Sequence, residues 1–213
     1  MQLYSYWRSS AAYRVRIVLN LKGINYQTLV VNLLQPHDAE PAVNYRCLNP
    51  QGLVPALVDN GLVLTQSAAI IEYLEEKFPN LSVLPQSVEA RATVRSLAQL
   101  IACEIHPVNN LRVLKHLRTE FSASDIRVNA WYRHWVIEGL SALEQRVAAS
   151  RGDCCFGDTP TMADACLVPQ MYNARRYDCD LRGCPNLLEI DEHLMSLPAF
   201  IKASPEQQED AIL

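Results

Sequence analysis

The stretch VPALVDNGLVL, residues 54–64, constrains the fold more than any other part of the chain. Apolar runs at 56–58 and 62–64 flank Asn60-Gly61, a dipeptide whose tolerance of positive φ suits a type I′ turn, so two antiparallel strands must meet here. Upstream, QLYSYW alternates enough for a short strand and INYQTLVVNLL reads as a β-rich second one. Between them RSSAAYRVRIVLNLKG is ambiguous. Tyr13, Val15, Ile17, Leu19 and Leu21 alternate with Arg14, Arg16, Asn20 and Lys22, a strand period. The boundaries favour a helix: Ser9 and Ser10 are N-cap candidates, Lys22-Gly23 is a helix end, and Ala11, Val15, Val18 and Leu19 form a helical stripe. Downstream, QSAAIIEYLEEKFP places apolar residues at 70, 71, 74 and 78 and stops before Pro79, which is helical spacing with a breaker. The order βαβ followed by ββα predicts a small mixed sheet with helices on its faces.

From residue 88 onward the pattern changes to one helix after another. EARATVRSLAQLIACEIHPVNNLRVLKHL, interrupted by Pro107, and DIRVNAWYRHWVIEGLSALEQRVAAS are long amphipathic segments, and Thr161 with Asp164 has capping-box spacing before an apolar run. The expected division is an α/β domain over 1–80, a linker over 81–87 stiffened by Pro85, and an all-α domain over 88–213, whose last ten residues should fray.

With 213 residues the chain can bury one large core or two modest ones, and a net charge of −4 gives no electrostatic reason to expect nucleic acid. No apolar run approaches the roughly 20 residues of a membrane span, and MQLYSYWRSS lacks the apolar core of a signal peptide, so a cytoplasmic location without membrane partners is expected. The seven cysteines form no C-x-x-C pair, which argues against a disulfide framework and against a metal site. Cys154 and Cys155, beside Gly152 and Gly157, are the ones expected to be partly exposed.

Ser9-Ser10 opening RVRIVLNLKG, then LNPQGLVPAL, TQSAAIIEYLEE, IHPVNNLRVL and GDTPTMADACLVPQ, in this order and spacing over essentially the whole chain, resemble the zeta class of glutathione transferases. The resemblance implies a thioredoxin-like domain joined to a helical domain in a homodimer. It also implies a glutathione cofactor and cis–trans isomerisation of a small dicarboxylic keto acid, maleylacetoacetate or maleylpyruvate, in aromatic amino acid catabolism. Where the class has Ser-Ser-Cys, this chain has Ala11.

Carried over by position, the resemblance places the glutathione sulfur at Ser9 and Ser10, whose order as thiolate donors the sequence leaves open. Val54, before a cis Pro55, would pair with the tripeptide backbone, and Gln66 and Ser67 would hold its γ-glutamyl carboxylate at a helix N-terminus. His106 and Asn110 would line the cleft, while His37 and Glu40 would reach the glycine end. Arg8, Arg112 and Arg176 would grip the carboxylates of the diacid, and Arg112 tilts the choice toward the more compact maleylpyruvate. Arg14 and Arg16 read as structural or interfacial. Two other readings stay open: a transferase that conjugates electrophiles or α-halo acids and consumes glutathione, and a glutathione-transferase-like binding protein without chemistry.

Overall fold

The computed structural model describes residues 1–33, 40–149 and 152–212. In chain order its elements are β1 (Gln2–Ser5), α1 (Ser10–Leu21), β2 (Gln27–Val30), α2 (Glu40–Leu48), β3 (Ala56–Asp59), β4 (Leu62–Thr65) and α3 (Ser67–Lys77), then α4 (Val88–Gln99), a π-helical turn (Leu100–Ile105), α5 (His106–Val108), α6 (Leu111–Thr119), α7 (Asp125–Val147), α8 (Met162–Arg176), α9 (Pro185–Leu194), α10 (Pro198–Ala203) and a 3₁₀ turn (Pro205–Gln207). Packing divides the chain into two compact units, Met1–Val83 with Leu197–Leu213, and Leu84–Ser196.

The first unit is built on a four-stranded sheet in the order β2-β1-β3-β4, with β1 parallel to β2 and the other neighbours antiparallel. The hairpin forms as expected: Asn60 and Gly61 both take positive φ, 49° and 84°, and Asp59 pairs with Leu62. Helix α1 explains its own strand-like period. Every residue from Ala12 to Leu19 is buried, the two arginines included, because α1 packs against both α3 and α10. A helix covered all round has no polar face to reveal its period. Its end is a Schellman motif, with Gly23 at φ 63°, its N–H on the Asn20 carbonyl and the Ile24 N–H on the Leu19 carbonyl.

The expected second domain ran to residue 213; the packing instead returns 197–213 to the first unit. Two side chains of α1 hold this segment: Arg16 Nε donates to the Ala203 carbonyl at 2.9 Å and Asn20 Nδ2 to the Ala199 carbonyl at 3.0 Å. Nor does the tail fray. Asp210 accepts the Trp7 backbone N–H at 3.0 Å, and Ala211 packs on the cluster of Tyr6, Trp7, Ala12, Tyr45, Val54 and Ala56.

The second unit is helical throughout its described residues. Val128, Tyr132, Val136, Leu140, Leu143 and Val147 form the buried stripe of α7, and nearly all of α8 is buried. Pro107 has no N–H for the carbonyl four residues back, and the chain widens to a π turn just before it, where the His106 N–H reaches the Ile101 carbonyl. Gly139 of α7 is required beside this turn, since a Cβ there would come within 2.3 Å of Ile105 Cγ1. The capping box at the start of α8 forms: Thr161 Oγ1 accepts from the Ala163 N–H at 3.2 Å, and Asp164 accepts from the Thr161 N–H at 2.7 Å. Asp164 also accepts the Cys155 N–H at 2.7 Å, folding that loop inward, so Cys154 and Cys155 are fully buried and not the partly exposed pair expected.

Candidate active site

The first helix begins at a capped, positively polarised end. Ser9 is the N-cap, with its Oγ accepting from the Ala12 N–H at 3.3 Å and its own N–H on the Tyr6 carbonyl at 2.9 Å. Ser10 is the first helical residue and is 6% exposed, while Ala11 is half-buried where the class has cysteine. The leading N–H groups of a helix have no intrahelical acceptors and carry the positive end of its dipole, so this end suits an anion.

The loop before these serines is fixed from beneath. Arg16 donates to Ser5 Oγ at 3.1 Å, the Tyr6 carbonyl at 3.5 Å and the Trp7 carbonyl at 2.9 Å, besides Ala203. Burial lowers its pKa to about 10, which leaves it charged at neutral pH. The Arg8 guanidinium lies 5.0 Å over the Trp7 ring. Trp7 Nε1 is itself buried without a hydrogen-bond partner.

A second helix start lies in the same unit. Gln66 precedes α3 with φ 70° and ψ 114°, a conformation that costs a non-glycine residue about 1–3 kcal/mol and marks a constrained site. Its side chain donates to Gln51 Oε1 at 3.0 Å and leaves the helix start uncapped. Ser67, 7% exposed, accepts from Arg14 Nη1 at 3.3 Å. The Val54–Pro55 peptide bond is cis, and the Leu53 carbonyl just before it is held by Tyr45 Oη at 2.6 Å and Asn49 Nδ2 at 2.7 Å. Glu40 opens α2, and its side chain, like all of His37, lies outside the described residues.

The remaining candidates belong to the helical unit. His106 starts the short α5 and is half-buried. Asn110 is the N-cap of α6, its Oδ1 accepting from the Arg112 N–H at 3.1 Å, and Arg112, the second residue of that helix, is exposed. Arg176 ends α8 with its guanidinium 4.9 Å over the Tyr177 ring, which stacks on Tyr132 at 3.6 Å. Arg8 and Arg176 thus each lie near the face of the aromatic ring next to them in the sequence, and Arg176 Nη2 also donates to the Tyr177 hydroxyl at 3.4 Å.

Four of the buried cysteines are held as thiols. Burial raises Cys154 to about 12, Cys179 to about 11 and Cys184 above its usual value, and pushes fully buried Cys155 well up. Cys47 and Cys103 are exposed on α2 and the π turn, away from either serine pair in sequence. Among the described residues no three His, Cys, Asp or Glu side chains are grouped to hold a metal ion. Sequence reading assigned no role at the site to Arg14, Trp7 or Asp210. For Arg14 a signal existed, a charge set inside the apolar run YRVRIVLNL; for Asp210 none did.

Residues 8–77 match the family model described as glutathione S-transferase, N-terminal domain. A probable maleylacetoacetate isomerase of Vibrio cholerae is 45% identical over 98% of this chain and 97% of its own length, and a maleylpyruvate isomerase of Ralstonia is 45% identical over 99% and 100%. Among solved structures, the holo form of a maleylpyruvate isomerase described as a bacterial zeta-class glutathione S-transferase superposes with a TM-score of 0.94 at 44% identity, covering 100% of both chains. A maleylacetoacetate isomerase of Methylobacterium extorquens with bound malonate and glutathione gives 0.94 at 38% identity, again over 100% of both. Two serine-bearing helix starts on a mixed four-stranded sheet, followed by a helical unit and matched end to end by these relatives, make this chain a member of the zeta class of glutathione transferases.

Proposed function

We propose that this protein is a glutathione-dependent isomerase that converts a maleyl keto diacid, maleylacetoacetate or maleylpyruvate, to its trans isomer. The observation that carries the reading is a helix start with two serine hydroxyls and no thiol of its own, in a chain where burial pushes Cys154, Cys155, Cys179 and Cys184 away from ionisation. The nucleophile has to be brought in. Glutathione, when bound, supplies a thiolate that adds reversibly to the activated double bond and so frees it to rotate.

The residues of this chain fit that cofactor. Ser9, Ser10 and the leading N–H groups of α1 donate toward a sulfur anion. An ordinary thiol has a pKa of about 8.5, and each unit of lowering corresponds to about 1.4 kcal/mol of preferential thiolate stabilisation. The strained Gln66 and the buried Ser67 present a helix start to the γ-glutamyl carboxylate, Val54 offers backbone groups to the peptide, and His106 and Asn110 are assigned to it as well. Glu40 and His37 are assigned to the glycine end. Arg8, beside Trp7, and Arg176, beside Tyr177, are assigned with Arg112 to the carboxylates of the diacid. In that role their charge would also stabilise the negative charge that develops beside the carbonyl as the double bond is attacked.

The finer assignment is a homodimer in the cytoplasm acting preferentially on maleylpyruvate. Its supports are the half-exposed Leu62 and Val63 of the outer strand β4, the seven free cysteines, and Arg112 as a third guanidinium. The chain's helices offer no segment long and apolar enough to cross a membrane among the described residues.

The test follows the absorbance of each diacid with and without glutathione while total thiol is measured. Isomerisation is expected only with glutathione and with the thiol returned undiminished. Stoichiometric loss of thiol identifies a conjugating transferase, and isomerisation undiminished in thiol-free enzyme overturns the reading.

A further inference from the structure

Arg14 and Arg16 are the two largest fully buried side chains among the described residues, and Arg14 is 2% exposed in the first half of α1. Its Nη1 donates to Ser67 Oγ at 3.3 Å, and its Nε and Nη2 have no hydrogen-bond partner. Among the described residues it forms no ion pair. A buried guanidinium with two unpaired donors is costly, and a fold keeps one where something else repays the cost. Its neighbour Arg16 shows the contrast, since each of its three nitrogens finds an oxygen in the same unit.

The contact with Ser67 has a definite consequence for hydrogen bonding. Because the Ser67 oxygen accepts from a cation, its own O–H is left to be donated, and a hydroxyl that accepts from a cation is a stronger donor. The same hydroxyl stands at the start of the eleven-residue helix α3, where the first N–H groups are unsatisfied and Gln66 supplies no cap. A cation lies behind, a polarised hydroxyl and open N–H groups lie in front, and no carboxylate of the described chain answers them. An anion bound over Ser67 would complete the arrangement.

We infer that Arg14 is a positioning residue for the cofactor: through Ser67, and through its uncompensated charge, it makes the start of α3 selective for a free α-carboxylate. The inference rests on the reading that glutathione binds here and adds to it the source of discrimination. Arg14 does not touch the ligand, since its unpaired nitrogens are covered by protein. It fixes which hydrogen Ser67 can offer and the sign of the charge that the site accepts.

The experiment compares the Kd of glutathione with that of 4-aminobutanoyl-cysteinylglycine, the same peptide without its α-carboxylate, by titration calorimetry. Wild-type protein is expected to prefer glutathione by about tenfold or more. Arg14→Met is expected to bind glutathione about as weakly as the analogue, with the affinity for the analogue within about twofold of wild type. A purely structural role for Arg14 would weaken both ligands together and keep their ratio, and that result overturns the inference. Arg14→Gln, which keeps an N–H for Ser67 and removes the charge, guards against a methionine variant that does not fold; its ratio is expected to collapse too, and an unchanged ratio counts against the inference. Wild-type protein that binds both peptides equally overturns it directly. Wild-type protein that binds neither sinks the glutathione reading, and this one with it.

Discussion

The first unit buries two arginines, Arg14 at 2% and Arg16 at 0% exposure, without an ion pair; the helical unit buries Glu144 at 8% and Asp164 at 0%, also without one. Glu144 and Asp164 are satisfied by helix starts, whereas Asp191 of α9, also buried there, pairs with Arg175 at 2.6 Å and keeps one carboxylate oxygen without a partner. Glu144 of α7 accepts from Asn186 and from the Leu187 N–H at 3.0 Å at the head of α9, and Asp164 does the same for α8. Helix N-termini supply N–H donors in quantity, so an acidic side chain there closes a local account of hydrogen bonds and serves architecture. Buried cations need oxygens, and the first unit has enough for Arg16 but not for Arg14. A buried charge fully answered by its own fold is therefore structural, and a buried cation with neither a charged partner nor enough oxygens leaves room for an anionic ligand.

The largest expected effect would break that comparison on its structural side. Asp164→Ala removes the acceptor of the Thr161 and Cys155 N–H groups and of Thr161 Oγ1, all buried, and should cost about 3–5 kcal/mol in chemical denaturation. A loss under about 1 kcal/mol would show that an internally satisfied anion is not what holds the loop to α8. On the ligand side, Ser10→Ala and Arg176→Ala should each lower isomerase kcat/KM by well over about tenfold, more than about 1.4 kcal/mol of transition-state stabilisation, with the denaturation midpoint little changed. A drop in stability without a drop in turnover would place both residues with Asp164, as architecture.

The same contrast governs what could be read from the sequence. The Asn60-Gly61 hairpin, the βαβ order and the Thr161–Asp164 capping box were legible because each is a local pattern over a few residues. Helix α2, EPAVNYRCL, was missed, since Pro41 near its start and a sparse apolar stripe give little period to detect. The return of 197–213 to the first unit was not legible, because it depends on pairs such as Arg16 with Ala203, nearly the whole chain apart. At the site, serines at a helix start could be found by type and position. The resemblance supplied Val54, Gln66, His106, Asn110 and the three arginines. The role of Arg14 was hidden, since only tertiary structure shows that Ser67 lies against it and that nothing else answers its charge.

The smallest expected effect sharpens the comparison with an intermediate case. Glu75 and Lys22, both buried in the first unit, form an ion pair at 2.7 Å, and Lys22 also donates to the Phe78 carbonyl at 2.8 Å. Burial pushes the Glu75 carboxyl up, but hydrogen bonds from Lys22, Ser82 and the Val83 N–H, with the charge of Lys22, more than reverse it, and its pKa lies below the usual 4.5. A depressed folded pKa gives stability that is present above the unfolded value and lost as pH falls through the folded one, so the contribution should disappear from about pH 4.5 downward. Glu75→Gln removes this dependence. It should cost about 1 kcal/mol at neutral pH, because Lys22 keeps its carbonyl partners, and it should flatten the stability curve below pH 4.5 by at most one proton, about 1.4 kcal/mol per pH unit. Curves for wild type and Glu75→Gln that run parallel through this range would mean that the charge of Glu75 does not matter. Lys22 would then be a cation answered by neutral oxygens alone, as Arg16 is, and Arg14 would remain a buried cation of the first unit that the fold itself does not complete.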